Sequence, residues 1–172
     1  MVYRTRTYIA GEWDGDSNLI ETLQRWNESE KWSLSFSDAH NMKQARDTSY
    51  PCNIKRSLAD RLNGSKTFVL VVGDKTKTAT KGSCQFCSHY SSYWGKCLAS
   101  GTPSFKSFIT YECEKAVRDG LRIIVLYNST IVQKSKCPEA VKDRGKHIAA
   151  IYKGTDGKYY WNYTEIKKAI QG

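Results

Sequence analysis

The stretch KTFVLVVGD at residues 66–74 holds an unbroken apolar run from Phe68 to Val72. A strand with one wet face alternates apolar and polar residues, whereas a run without alternation must be covered on both faces. This one stretch therefore calls for a central strand with helices above and below it. A second short run, RIIVLY at residues 122–127, follows a helical pattern closed by Asp119 and Gly120, and asks for the same environment.

The rest of the chain alternates in the same way. TRTYIAG (5–11) reads as a first strand, and DSNLIETLQRWN as a helix with Asp16 or Ser17 at its N-cap and Leu19, Ile20, Leu23 and Trp26 on one face. WSLSFS (32–37) reads as a second strand, IKRSLADRLNGS as a helix closed at Asn63 and Gly64, HIAAIYKG as an edge strand and YTEIKKAIQ as a last helix. Five strands alternating with helices predict an α/β protein of flavodoxin-like type, a five-stranded parallel sheet flanked by helices. At 172 residues the chain is expected to form a single domain. Residues 37–52 and 74–104 exceed ordinary connections, and connections of that length usually carry function.

Charge and motifs narrow the function by exclusion. Twenty-seven Lys and Arg against seventeen Asp and Glu give a formal charge of +10, yet the basic residues lie in short separate clusters without interleaved aromatics. A solvated surface fits that scatter better than a nucleic-acid groove. No 18-residue apolar run and no apolar leader is present, so the expectation is a cytoplasmic protein that neither enters a membrane nor is exported. There is no G-x-G-x-x-G, no P-loop and no G-x-S-x-G, which removes the usual support for dinucleotide redox chemistry, ATP hydrolysis and serine hydrolysis.

In parallel α/β sheets, ligands bind where the carboxyl ends of the strands meet. That rule gathers Gly11, Trp13, Asp14, Ser35, Phe36, Asp38, His40, Asp74 and Lys75 at one edge, together with the start of the helix in SFITYECEKAVRDG. On that helix Phe108, Ile109, Glu112, Ala116 and Val117 recur at helical spacing, so Glu112 falls on the apolar side. A carboxylate placed there has either a Lys or Arg partner that makes it structural, or a chemical task. The task that suits a lone carboxylate is cleavage at an N-glycosidic carbon, where positive oxocarbenium character develops.

Cysteines set a separate expectation. CQFCSHYSSYWGKC spaces Cys84, Cys87 and Cys97 as C-x2-C-x9-C around His89, and these four are candidate ligands of a structural zinc ion, with Cys52 as another. Redox chemistry and plain reduced thiols are the alternatives. Tyr93 and Trp94 in this segment are candidates to close over a substrate, or to anchor the loop locally.

The segment SFITYECEKA resembles the S-x-W-V-x-x-E pattern of TIR domains, with Phe108 at the place of the tryptophan and Glu112 at the place of the catalytic glutamate. TRTYIAGEWDGD, WSLSFSDAHN and SKTFVLVVGDKT are similar to the first strand, the second strand with its mobile loop, and the third strand of that family, and TIR-like proteins of Thoeris antiphage systems resemble the chain over nearly its whole length. The resemblance implies an enzyme that cleaves the nicotinamide–ribose bond of NAD and makes an ADP-ribose-derived, often cyclic, signal nucleotide for a separate antiphage effector. It implies NAD as substrate, no cofactor or metal in the chemistry, and homo-oligomerisation on activation. Gly11, Trp13, Asp14, Ser35, Phe36, Asp38 and Phe108 would then contact the substrate. The cysteine segment at about 74–104 would be an insertion. Two other readings stay open: TYIAGEWDGD also looks like the first strand of nucleoside deoxyribosyltransferases, and a TIR-like adaptor would need no catalysis at all.

Overall fold

The computed structural model describes residues 6–34, 36 and 50–172, without the side chain of Trp13. The chain runs β1 (Arg6–Ala10), α1 (Trp13–Glu28), α2 (Pro51–Asn63), β2 (Ser65–Val72), β3 (Tyr90–Ser91), β4 (Lys96–Cys97), α3 (Phe108–Arg118), β5 (Arg122–Tyr127), β6 (Lys146–Ala149), β7 (Ile151–Lys153), β8 (Tyr159–Trp161) and α4 (Tyr163–Gln171).

Among the described residues, β1, β2, β5 and β6 form a sheet in that spatial order, all parallel. The apolar run Phe68–Val72 lies in β2 with a strand on each side, as its lack of alternation predicts. Successive side chains point to opposite faces, so the sheet divides the core into two layers. Tyr8, Ala10, Phe68, Leu70, Val72, Ile123, Val125 and Tyr127 pack against α2 and α3. Ile9, Val69, Val71, Ile124, Leu126 and Ile148 pack against α1 and α4. The three-layer α/β/α arrangement follows from two-sided burial of β2 and β5.

Three sequence expectations are corrected. The expected second strand at 32–37 is not a strand at Trp32, Ser33, Leu34 or Phe36, its described residues. Their amides are already committed: Ser33 N–H donates to the Ser29 carbonyl at 2.7 Å, Leu34 N–H to the Trp26 carbonyl at 3.1 Å, and Phe36 N–H to Asn27 Oδ1 at 2.7 Å. Leu34 is fully buried against α1 instead of paired in a sheet. The described residues thus give four parallel strands in place of the expected five.

The first helix begins earlier than expected, at Trp13 with Glu12 as N-cap, so WDGD is helical. The expected edge strand HIAAIYKG is divided at Ala150. Before it, β6 completes the parallel sheet; after it, β7 turns away to pair with β8, Tyr152 opposite Tyr160. Helix α3 ends as read, with Gly120 N–H on the Val117 carbonyl and Leu121 N–H on the Ala116 carbonyl, the paired bonds of a Schellman closure.

Candidate active site

Helix α3 returns the chain to the start of β5, so its own first turn stands at the carboxyl edge of the sheet. Ser107 caps that turn, its hydroxyl accepting from Thr110 N–H at 3.1 Å, and Phe108 N–H donates to the Lys81 carbonyl at 2.8 Å. The local cap and the sequence-distant bond to Lys81 together fix where Glu112, one turn further on, meets the sheet.

Glu112 is 2% exposed and accepts a hydrogen bond from the hydroxyl of Tyr8, itself fully buried in β1 and stacked on Phe68 with ring centroids 5.9 Å apart. A hydroxyl aimed at a carboxylate is a charge-assisted contact that offsets part of the cost of burying the acid. Beside it, burial pushes the Cys113 thiol well up, and the neighbouring Glu112 adds to the effect. Cys113 is held as an unreactive thiol. Lys115, further along α3, is engaged with Asn63 Oδ1 at 2.8 Å and Asp119 Oδ2 at 2.6 Å.

The predicted contact residues divide into groups. Gly11 follows β1 at the carboxyl edge, and Phe108 is half-buried on the same helix as Glu112, against the core of the α2–α3 face. Asp14 is exposed on the first turn of α1, and Phe36 is half-buried against the opposite core. Asp74 is exposed, and the Lys136 ammonium beside it holds its carboxyl below the usual range. Lys75 is exposed. Ser35, Asp38 and His40 lie outside the described residues, as does the side chain of Trp13.

Sequence reasoning passed over two acids and a lysine. Asp16 is 2% exposed and accepts from Asn128 Nδ2 at 3.1 Å and Thr76 Oγ1 at 3.5 Å, tying together the ends of α1, β2 and β5. Burial raises its carboxyl above the ordinary 3.8, against the lowering effect of these hydrogen bonds. Its signal was available, since Asp16 lies at helical spacing from Leu19, Ile20 and Leu23, but only if the helix starts before it. Glu12 is also raised by burial, opposed by the positive charge of Lys81. Lys55 of α2 is buried and donates to the Lys106 carbonyl at 2.7 Å, to Ser104 Oγ at 3.1 Å and to the Ser104 carbonyl at 3.3 Å; burial lowers its ammonium from 10.5. This lysine clamps the strand of chain that leads into α3.

The expected zinc ligands are not assembled. Among the described residues no three His, Cys, Asp or Glu side chains are grouped so as to hold a metal ion. Cys84 is buried and its sulfur accepts from Ser104 N–H at 3.3 Å. Hydrogen bonds from the Ser100 hydroxyl and from the backbone at Ala99 and Ser100 lower the Cys97 thiol, with a smaller contribution from Cys84. His89 instead packs edge-on to Tyr50 at 4.1 Å. Tyr93 and Trp94, 85% and 68% exposed, pack on each other at 4.9 Å.

Two concavities lie elsewhere. One of about 880 Å³ is lined by Arg122, Arg144, Lys146 and Lys168 at the start of β5 and β6, the edge of the sheet opposite the first turn of α3. The other, of about 530 Å³, is lined by aromatic rings near α4.

Among the described residues, four parallel strands flanked by helices define an α/β protein, an arrangement consistent with a TIR-like fold. Residues 8–81, from β1 through the loop after β2, match the family model described as Thoeris protein ThsB, TIR-like domain, and this similarity supports a Thoeris TIR-like protein. The match supports a TIR-type role in defence. No curated protein matches the chain. No helix among the described residues is long and apolar enough to cross a membrane.

Proposed function

We propose that the protein is a TIR-type NAD-consuming enzyme in which Glu112 acts at the nicotinamide ribose. The observation that carries this reading is the Glu112 carboxylate held by the Tyr8 hydroxyl at 2% exposure, on the helix whose first turn stands at the carboxyl edge of the sheet. Tyr8 lies inside the stretch that matches the Thoeris family model and Glu112 beyond it, so this hydrogen bond joins the two parts of the chain.

In the proposed reaction the bond between ribose C1′ and the nicotinamide nitrogen breaks, and its electron pair leaves with neutral nicotinamide. C1′ becomes oxocarbenium-like, and the carboxylate of Glu112 stabilises that charge or aligns the ribose hydroxyls. Water, or a nucleophile within the same ADP-ribose, then bonds to C1′ and releases a proton, giving ADP-ribose or a cyclic isomer. The chemistry draws on no metal or cofactor. Gly11, Asp14, Phe36 and Phe108 are described residues proposed to border the substrate, and Trp13, Ser35 and Asp38 complete the proposed set. Because Glu112 is closed to solvent in this arrangement, substrate entry goes with a local opening of the segment ahead of α3, completed on self-assembly. The product is proposed to act on a separate effector in the cytoplasm.

The same burial favours one other reading, a TIR-like adaptor in which Tyr8 and Glu112 only fasten α3 to β1. Incubation of the protein and its Glu112→Gln variant with NAD, followed by chromatography and mass spectrometry, separates the two. The enzyme reading expects nicotinamide release that falls by roughly a hundredfold or more in a folded variant, the scale of losing a preorganised electrostatic group. Absence of release from concentrated wild type, also in the presence of infected-cell extract, leaves the adaptor reading.

A further inference from the structure

The aromatic concavity has no part in the Glu112 chemistry. It backs onto the core of the α1–α4 face, whereas α3 packs on the other face of the sheet. One wall is Trp32 and Tyr163, ring centroids 4.8 Å apart, braced from beneath by Trp26 at 5.0 Å from Tyr163. The Tyr163 hydroxyl donates to the Trp32 carbonyl, which fixes this wall to the end of α1. The other wall comes from the β7–β8 hairpin, where Tyr152 and Tyr160 are cross-strand partners at 5.8 Å and Trp161 follows.

These rings do not close on each other as a core would. Trp32, Tyr152 and Tyr160 are 40%, 48% and 42% exposed, and the space between the walls is about 530 Å³, within the range of small-molecule sites. Two cations stand over the first wall: Lys31 Nζ lies 5.4 Å from the Trp32 ring and Lys167 Nζ 5.6 Å from the Tyr163 ring. Among the described residues neither lysine is joined to a carboxylate in an ion pair. At the hairpin wall, Asp156 accepts from the Tyr160 hydroxyl.

Planar faces with unpaired cations beside them fit a ligand that is flat and apolar at one end and anionic at the other. A quaternary ammonium fits badly, because two lysine ammonium groups already stand beside these rings and repel a further cation. We propose that this cleft binds a nucleotide, its base stacked between the Trp32–Tyr163 wall and the Tyr152–Tyr160 wall and its phosphate at Lys31 and Lys167. Every base has a π-face, so the site is tolerant of base identity and selective for the phosphate.

The test is titration of the full chain with AMP, adenosine and inorganic phosphate, read by tryptophan fluorescence, since Trp26, Trp32 and Trp161 line the cleft. Saturable AMP binding is expected, weaker by roughly fivefold or more in Tyr152→Ala and restored in Tyr152→Phe, as loss and return of one stacking face require. Lys167→Gln is expected to weaken AMP by roughly two- to fivefold and to leave adenosine unchanged, the scale of one exposed charge contact. The proposal is overturned if AMP fails to saturate in the millimolar range, if Tyr152→Ala binds AMP as wild type does, or if phosphate alone binds as tightly as AMP. A proline-rich peptide that binds and is sensitive to Tyr152→Ala, where AMP is not, assigns the cleft to peptide recognition instead. None of these results bears on NAD turnover, which Glu112→Gln tests separately.

Discussion

The carboxylate of Asp16 occupies the space that a side chain on Gly73 would need: a Cβ built there would lie 2.0 Å from Oδ1 and 2.5 Å from Cγ. Helix α1 and the end of β2 are joined at this point, through Asp16, Asn128 and Thr76, whose hydroxyl also accepts from Gly73 N–H at 2.9 Å. The close approach, and not a special turn, demands glycine at 73.

Gly73→Ala is therefore expected to expel the Asp16 carboxylate from its bond with Asn128 and to cost about 1–3 kcal/mol, the usual range for overpacking. Asp16→Ala in the same chain removes the obstruction, so the double variant is expected to be more stable than the sum of the two single losses. Thermal or urea unfolding of the four proteins checks this. Strict additivity would show that the two residues are not in contact.

The same carboxylate gives a pH dependence of defined sign. Burial raises Asp16 above its ordinary 3.8, so between that value and its folded value the native state holds a proton that the unfolded chain has released. Its contribution to stability is complete below 3.8 and is lost as pH rises through the folded value. Asp16→Asn carries no such charge. Its stability relative to wild type is expected to grow across that window and then level off, in urea titrations from about pH 3 to 8. A difference that shrinks as pH rises overturns the assignment.

Tyr8→Phe removes the hydroxyl that Glu112 accepts from and leaves the ring on Phe68. The expected cost is about 1–3 kcal/mol, as for a charge-assisted bond lost from a buried acid, which in a chain of this size lowers Tm by several degrees. Combined with Glu112→Gln, the loss is expected to be smaller than additive, because the amide is a weaker acceptor than the carboxylate and had already given up part of the bond. Equal losses in both backgrounds would mean that Tyr8 acts through packing alone.

How far the sequence could be read depended on whether a residue's partner was local. The two apolar runs gave β2 and β5 because two-sided burial leaves a direct mark on composition, and α3 was legible from its apolar spacing and its Asp119–Gly120 end. Glu112 was found for the same reason, since a carboxylate on an apolar face breaks its own pattern. Its partner Tyr8 was not, being 104 residues away and chosen by sheet register. The stretch 32–37 misled because alternating residues there have strand character, while the Leu34 and Phe36 amides bond eight and nine residues back to Trp26 and Asn27 at the end of α1. Cysteine spacing likewise said nothing of the direction in which each sulfur would point. The family match, for its part, ends at residue 81, before the helix that carries Glu112.

Position 82 ties the cysteine segment to the same helix. Gly82 has φ +95°, where side chains are strained, and a Cβ there would lie 2.4 Å from Cδ1 of Phe108. Gly82→Ala is expected to cost about 1–3 kcal/mol from the backbone alone and to push the Phe108 ring off its seat. If Phe108 borders the substrate, the surviving folded protein is expected to show a raised KM for NAD with the chemistry at Glu112 less affected.

Lys55 provides the last test, because it holds the chain ahead of α3 without touching the proposed chemistry. Its ammonium bonds the Ser104 and Lys106 carbonyls and the Ser104 hydroxyl from a buried position on α2. Lys55→Met keeps much of the side-chain bulk and removes all three bonds, leaving acceptors that must find water. Hydrogen exchange around residues 104–108 is expected to quicken and limited proteolysis to cut there first, while exchange in β2 and β5 changes little. If this segment opens to admit substrate to Glu112, the variant is also expected to turn over NAD at least as fast as wild type at low substrate, since the closed arrangement has been weakened. Faster exchange with abolished turnover would instead show that Lys55 keeps the site in its working shape.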